Sequence, residues 1–201
     1  PGADPNKVHQ LCRGRRPIGL LKLEILRLHS VTGAPELGSV AVTYGGVSVL
    51  PDRRGSFAAT TVDYFEAFVL KWALEHPGER LLSFSRTMSP QGARLMYTFT
   101  GGEMWPRPGE PTPPDIQFLL SALEKSLRGA DGEPPVVDPV TGAMVMKMDL
   151  AVNTTDKPTT SDNGGPKDMF TTLNPNWRDG WALLMLAEVP VPLIVQRGKQ
   201  A

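Results

Sequence analysis

The chain has 201 residues, of which 40% are hydrophobic and 21% charged, with 20 Pro, 20 Gly and a formal net charge of zero. This composition excludes a disordered or fibrous chain, and the length suffices to bury a core without disulfides. The single cysteine, Cys12, excludes an intramolecular disulfide and a cysteine-rich zinc site. Pro and Gly together make a fifth of the chain, which predicts many turns and long ordered loops.

Residues 1–17 lack apolar periodicity and form a basic arm with a single acid. The basic residues are Lys7, Arg13, Arg15 and Arg16. Basic arms can lie on nucleic acid, and this arm is the only stretch of the sequence that offers such a contact. No aromatic residue stands between the charges, which favours a plain solvated tail or linker.

Two strand patterns follow the arm. From Leu21 to Leu28 apolar and charged residues alternate, with one slip of phase that predicts a β-bulge. From Val40 to Val49 apolar residues alternate on both sides of Gly45-Gly46, which predicts a hairpin with a tight turn at the glycines.

A helix and a second hairpin are predicted next. Apolar residues recur at three- and four-residue spacing over residues 61–76, which indicates an amphipathic helix that ends at Pro77. Two alternating stretches, Leu82–Met88 and Leu95–Phe99, flank the turn-like sequence Ser89-Pro90-Gln91-Gly92 and predict a hairpin.

The second half begins with a Pro-rich loop over residues 101–114 and a second amphipathic helix over residues 113–128, which Gly129 ends. Alternating methionines predict a half-buried strand from Ala143 to Val152. The polar stretch from Asn153 to Lys167 is long for a loop in a compact domain, so we expect it to be mobile or docked on a partner.

The C-terminal segment 177–195 is dense in apolar residues. Pro190 and Pro192 exclude a continuous helix there and disfavour a central strand. We therefore expect a short buried segment up to Glu188, followed by an edge strand or an extended arm.

These elements predict a single α+β domain over residues 18–201. Its antiparallel, twisted β layer is covered by the two amphipathic helices 61–76 and 113–128, with Pro/Gly-rich loops. A β-sandwich with inserted helices is the alternative.

Sequence motifs assign no catalytic residue, cofactor or metal. P-loop, dinucleotide-binding and nucleophile-elbow patterns are absent, and the three histidines are scattered. His29 beside Ser30 is the best candidate for a catalytic base, and Asp138 with Asp149 is one candidate carboxylate pair, but surface roles explain these residues as well. Whether the chain is an enzyme stays open, and the missing motifs favour a non-enzyme.

The charge distribution and the aromatic residues of the sequence favour a protein-interaction role. Residues 1–100 carry 12 basic and 8 acidic residues (net +4), whereas residues 101–201 carry 9 and 13 (net −4). Such asymmetry favours head-to-tail contact between copies. Aromatic residues in Pro- and Gly-rich contexts are typical of contact surfaces. The expected contact residues are Trp105, Trp177 and Trp181, together with Arg13, Arg15 and Arg16 of the arm.

The first functional hypothesis is a structural or protein-interaction domain, such as a subunit or protruding domain of a larger coat or shell, that self-associates or binds a protein partner. The alternative is a small-ligand-binding protein or hydrolase with a pocket beside the Met144–Val152 strand. No secretory signal and no membrane-spanning apolar run is found, so we expect an intracellular or virion-associated protein. The first residue is Pro rather than Met, which suggests a processed, fragmentary or trimmed chain.

Overall fold

A computed structural model describes residues 8–13, 16–28, 40–49, 58–124, 132–138, 141–148 and 165–198. The strands are β1 Val8–Arg13, β2 Arg16–Leu28, β3 Val40–Val49, β4 Arg80–Thr87, β5 Met104–Trp105, β6 Val136–Val137, β7 Met144–Lys147 and β8 Trp181–Glu188. The helices are α1 Ala58–Glu75, α2 Pro90–Thr100, α3 Pro114–Glu124, α4 Pro166–Leu173 and α5 Val191–Gly198, with a 3-10 turn at Trp177–Asp179.

The chain divides into two compact units, and no sequence feature marks this division. The first unit comprises the described residues of Pro1–Phe84, Thr98–Gly101 and Glu188–Ala201. The second comprises those of Ser85–Tyr97 and Gly102–Ala187.

The sheet of the first unit is mixed. Strands β1 and β2 pair antiparallel, as do β2 and β3, whereas β3 and β4 run parallel. The 18-residue helix α1 lies between β3 and β4 in the chain, and such a crossover returns the chain to the end of the sheet where β3 began. The α+β class is therefore confirmed, and the expectation of a purely antiparallel layer is wrong.

The hairpin predicted at Gly45-Gly46 is also wrong, because β3 continues through both glycines. Gly45 lies opposite Leu23 and Gly46 opposite Lys22 in an unbroken register with β2. Two glycines between stretches of alternating apolar residues are compatible with a hairpin turn or with a continuous strand. Pairing with β2 selects the continuous strand. Val8–Arg13 of the predicted basic arm forms the neighbouring strand β1.

The core of the first unit lies between α1 and one face of the sheet. The predicted helix is confirmed, and its apolar stripe is buried as expected. The buried cluster contains Leu21, Leu23, Phe65, Phe68, Val69, Trp72, Leu81, Val189 and Ile194. Phe65 also stacks on Phe99 with ring centroids 4.5 Å apart.

The end of the chain forms helix α5 rather than the expected edge strand or arm. Pro192 lies in its first turn, where a missing N–H breaks no helical hydrogen bond. Ile194 is buried in the first core, and α5 packs against α1. Glu188, shortly before this helix, forms a bidentate ion pair with Arg80 of β4, with nitrogen–oxygen distances of 3.2 and 2.9 Å.

In the second unit β8 pairs antiparallel with β7 and with β5, and β7 pairs antiparallel with β6. The predicted C-terminal buried segment is thus a strand, with every residue from Ala182 to Ala187 buried. The second core surrounds one face of β8. Its buried members are Ala93, Met96, Met104, Ala143, Val145, Phe170, Leu173, Trp177, Leu183, Met185 and Ala187.

Helix α3 confirms the second predicted helix over Pro114–Glu124, and its apolar positions are buried. The methionine strand is confirmed over Met144–Lys147. It is not half-buried as expected, because the adjacent residues Val145 and Met146 point to opposite faces and are both buried. Residues 149–152 of the predicted strand and residues 153–164 of the polar stretch lie outside the described residues.

Helix α2 replaces the second predicted hairpin. The Ser89 hydroxyl accepts a hydrogen bond from the Gly92 amide at 3.2 Å, and Pro90 is the first helical residue. Ala93, Met96 and Thr100 are buried at helical spacing, so this pattern overrides the alternation of Leu95–Phe99.

Replacing Phe65 with alanine tests the first core. Phe65 is buried and stacked, so we expect Phe65→Ala to lower the free energy of unfolding by about 3–5 kcal/mol. Leu74→Ala on the same helix is the matched control, since Leu74 is 85% exposed, and we expect a change within about 0.5 kcal/mol. Urea denaturation of both variants makes the comparison, and equal losses would contradict the assigned core.

Candidate functional site

A cleft of about 540 Å³ opens on the second unit. Its walls come from the end of α2, the loop that contains β5, and one face of α4. We call it the α4 cleft. Its lining residues are Tyr97, Gly102, Met104, Arg107, Pro108, Glu110, Gly165, Asp168, Met169 and Thr172. The volume lies within the range of small-ligand pockets, about 300–1,000 Å³.

Helix α4 supplies one wall because its two faces differ. Gly165, Asp168, Met169 and Thr172 follow the spacing i, i+3, i+4, i+7, which places them on one helical face. Phe170 and Leu173 belong to the buried core of the second unit. Because the apolar face packs on the core, the other face of α4 is turned toward the cleft.

The start of α4 is built from Gly165 and Pro166. Gly165 is the N-cap without a side-chain cap, and its carbonyl accepts a hydrogen bond from the Met169 amide at 3.0 Å. Asp168 lies in the first turn, where a negative charge is favourable beside the helix dipole.

The opposite wall begins where α2 ends. The Gly102 amide donates to the Tyr97 carbonyl at 3.1 Å, and Gly102 has a φ of +95°. A Cβ atom at this position would lie 2.9 Å from Cζ of Tyr97. The left-handed backbone therefore favours glycine, and a larger residue would also have to displace the Tyr97 ring.

Arg107 holds the rest of this wall together. Its Nε donates to the Met104 carbonyl at 3.0 Å, and a terminal nitrogen donates to the Glu103 carboxylate at 2.8 Å. The other terminal nitrogen lies 3.6 Å from Glu110, and the guanidinium carbon lies 4.3 Å from the centroid of the Trp105 ring. The planar guanidinium group can stack on a ring and donate directed hydrogen bonds at the same time. The Trp105–Pro106 peptide bond in this loop is cis.

The charged groups of the lining do not balance. Arg107 contributes +1, and Glu110 and Asp168 together contribute −2, which gives +1 − 2 = −1 for the lining. The remaining lining groups are apolar or neutral. Tyr97, Met104, Pro108 and Met169 provide the larger apolar surfaces.

The structure scatters the aromatic residues that the sequence suggested as contacts. Trp105 is half-buried beneath Arg107, next to the cleft. Trp177 is buried and meets Phe170 edge-on, and Trp181 is half-buried with the Lys147 ammonium 5.7 Å from its ring centroid.

The described basic residues of the arm, Arg13 and Arg16, are not part of the described lining of the cleft. Arg13 and Arg16 are paired positions of β1 and β2, and Arg15 lies outside the described residues. A contact role for these arginines and for the three tryptophans stays a prediction.

Of the candidate catalytic residues, the structure describes Asp138, which is not part of the described lining of the α4 cleft. His29 and Asp149 lie outside the described residues. Asp138 accepts hydrogen bonds from the amide and hydroxyl of Thr141 in a turn. The described lining of the cleft contains no Ser, Cys or His.

Neither a metal cluster nor a membrane-spanning helix is found among the described residues. They contain no group of three or more His, Cys, Asp or Glu side chains that could hold a metal ion. Within the same ranges, no helix combines the length and apolar content needed to cross a membrane.

Comparisons with protein-family profiles, with characterised proteins and with solved structures give no significant match. The functional proposal therefore rests on the geometry of the fold and the cleft.

Gly102→Ala tests the contact between the glycine and the Tyr97 ring. Gly109→Ala is the matched control, because Gly109 also has a positive φ (+73°) but a Cβ atom there would have no neighbour within 4 Å. We expect Gly109→Ala to lose roughly 1–2 kcal/mol of unfolding free energy for backbone strain, and Gly102→Ala to lose roughly 1 kcal/mol more. Chemical denaturation measures both, and equal losses would show that the ring does not constrain Gly102.

Arg107→Lys tests the fork geometry. Lysine keeps the charge but cannot make the same directed contacts, so we expect a loss of roughly 1–2 kcal/mol of unfolding free energy. Arg178→Lys is the control, because Arg178 stacks on Trp177 at 4.4 Å and is exposed. Its expected loss is within about 0.5 kcal/mol. Thermal and urea unfolding make the comparison, and an Arg107→Lys protein as stable as wild type would contradict the role of the fork.

Proposed function

We infer that the second unit binds a small organic ligand in the α4 cleft without a catalytic step. The observation that carries this proposal is one concave site with both apolar surface and a few charged groups. This combination is what small-ligand sites use for affinity and orientation.

The walls of the cleft support this proposal because each is fixed independently of a ligand. Packing of Phe170 and Leu173 sets the direction of α4. Arg107 ties its own loop to Met104 and Glu103, so the opposite wall is also held in place. A preorganised site loses less conformational entropy when a ligand binds.

The ligand-binding role is favoured over the hydrolase role. A hydrolase of this kind requires a nucleophile and a base that meet in the pocket. The described lining offers Thr172 and two carboxylates but no Ser, Cys or His. Val145 and Met146 of β7 are both buried, and no residue of Met144–Lys147 belongs to the described lining of the cleft.

The hypothesis of a coat or shell subunit stays a separate proposal, in which copies associate through the segment 177–195. The described side chains of β8 in this segment are buried except at the two ends of the strand, so they offer little surface for a partner. Sedimentation at high micromolar concentration decides it, and a monomer would count against it.

Filling the cleft tests the binding proposal. Thr172→Trp places a large ring on the cleft face of α4, whereas Thr171→Trp places the same ring on an exposed neighbouring position outside the lining. We expect fragment-sized compounds found by ligand-observed NMR to shift the methyl signal of Met169 in the wild-type protein. The same compounds should lose binding at least tenfold in Thr172→Trp and keep it in Thr171→Trp.

Two outcomes would contradict the proposal. Either no fragment shifts the Met169 signal, or the fragments bind Thr172→Trp as well as they bind wild type. Thermal unfolding of both variants checks that each is folded, and the exposed position of both threonines makes this the expected result.

A further inference from the structure

The charges and aromatic surface of the α4 cleft suit one chemical class of ligand. Resting on the ligand-binding function above, we propose that the natural ligand carries a positively charged nitrogen, as a primary amine or a small quaternary ammonium group. Three features of the cleft support this class, namely a carboxylate, a tyrosine ring and an arginine that is already engaged.

The first feature is the unused acceptor capacity of Glu110. Its carboxylate lies 3.6 Å from a terminal nitrogen of Arg107, which is beyond normal hydrogen-bond distance. The same guanidinium makes its short contact, 2.8 Å, with Glu103. Glu103 thus neutralises the arginine, and the half-exposed Glu110 retains oxygen acceptors for an incoming donor.

The second feature is the aromatic ring of Tyr97. This residue is 42% exposed in the wall of the cleft, and its ring packs closely on Gly102. The face of such a ring attracts a cation through its quadrupole, and this attraction does not depend on hydrogen bonds. Methionine sulfur from Met104 and Met169 adds a polarisable apolar lining to the same site.

The third feature is that the arginine of the cleft is a poor anion site. One face of the guanidinium is stacked on Trp105, and Nε–H is committed to the Met104 carbonyl. An anion at the remaining edge would also meet Glu103 and Glu110. The Glu110 carboxylate at this edge therefore favours a cation over a neutral molecule, and a neutral molecule over an anion.

Three probes of similar shape separate the effect of charge from that of size. They are choline, its neutral carbon analogue 3,3-dimethylbutan-1-ol, and the anionic analogue 3,3-dimethylbutanoate. Methyl NMR of the full chain labelled at methionine reports binding through Met104 and Met169, with the buried Met185 outside the lining as the reference. We expect choline to bind roughly tenfold more tightly than the alcohol. The acid should bind more weakly than the alcohol.

Variants identify the groups responsible. Glu110→Gln should reduce the preference for choline over the alcohol by severalfold, because it removes one negative charge without changing size. Tyr97→Leu should weaken the binding of choline more than the binding of the alcohol. Asp179→Asn is the matched control for charge, because Asp179 is exposed in the same unit but absent from the lining, and it should leave the preference unchanged.

The outcomes distinguish this inference from the function on which it rests. If none of the probes and no other small molecule shifts Met104 or Met169, small-ligand binding at the cleft is wrong. If the alcohol or the acid binds as tightly as choline, the cleft binds small molecules but the cation inference is wrong. If choline keeps its full preference in Glu110→Gln and in Tyr97→Leu, the assignment to this cleft is overturned.

Discussion

The guanidinium of Arg107 is the contact on which the candidate site depends. It joins a main-chain carbonyl at Met104, a carboxylate at Glu103 and an indole ring at Trp105 within one short loop. Backbone pairing of Met104 and Trp105 with β8 anchors this Pro- and Gly-rich loop, and the Arg107 side chain ties the residues that follow to the same anchor. The arginine is only partly exposed but the Glu103 carboxylate is exposed, so the main-chain hydrogen bond and the stacking on Trp105 contribute more than the ion pair. The opposite wall depends instead on core packing, since the eight-residue helix α4 would not be stable alone and the burial of Phe170 determines where it lies.

Several elements follow directly from the sequence. Five elements lie near their predicted positions, namely α1, α3, β2, β4 and β7. In each of them the apolar residues recur with a single clear period, helical or strand-like, and pack on the core. The wrong predictions lie where the local sequence is compatible with two different structures. The stretch Leu95–Phe99 alternates like a strand, yet Ala93, Met96 and Thr100 form the helical stripe that is buried. Gly45-Gly46 suits a turn, yet pairing with β2 continues the strand.

The cleft itself could not be predicted from the sequence. Its walls come from segments that are distant in the chain, and α4 begins at the end of a polar stretch that resembles a loop. The sequence indicates Trp105 as an aromatic contact, and the structure places its ring under Arg107 at the edge of the cleft. The one local signal is the glycine pair after α2, since a glycine at a helix end is typical of a left-handed backbone.

The most direct test of the cationic cleft is a crystal structure of the full chain soaked with n-butylammonium. We predict that the ammonium nitrogen lies about 3 Å from a carboxylate oxygen of Glu110, with the butyl chain against Tyr97 and Met169. Density for the amine only at other sites, with the cleft holding water alone, would contradict the assignment of a cation site.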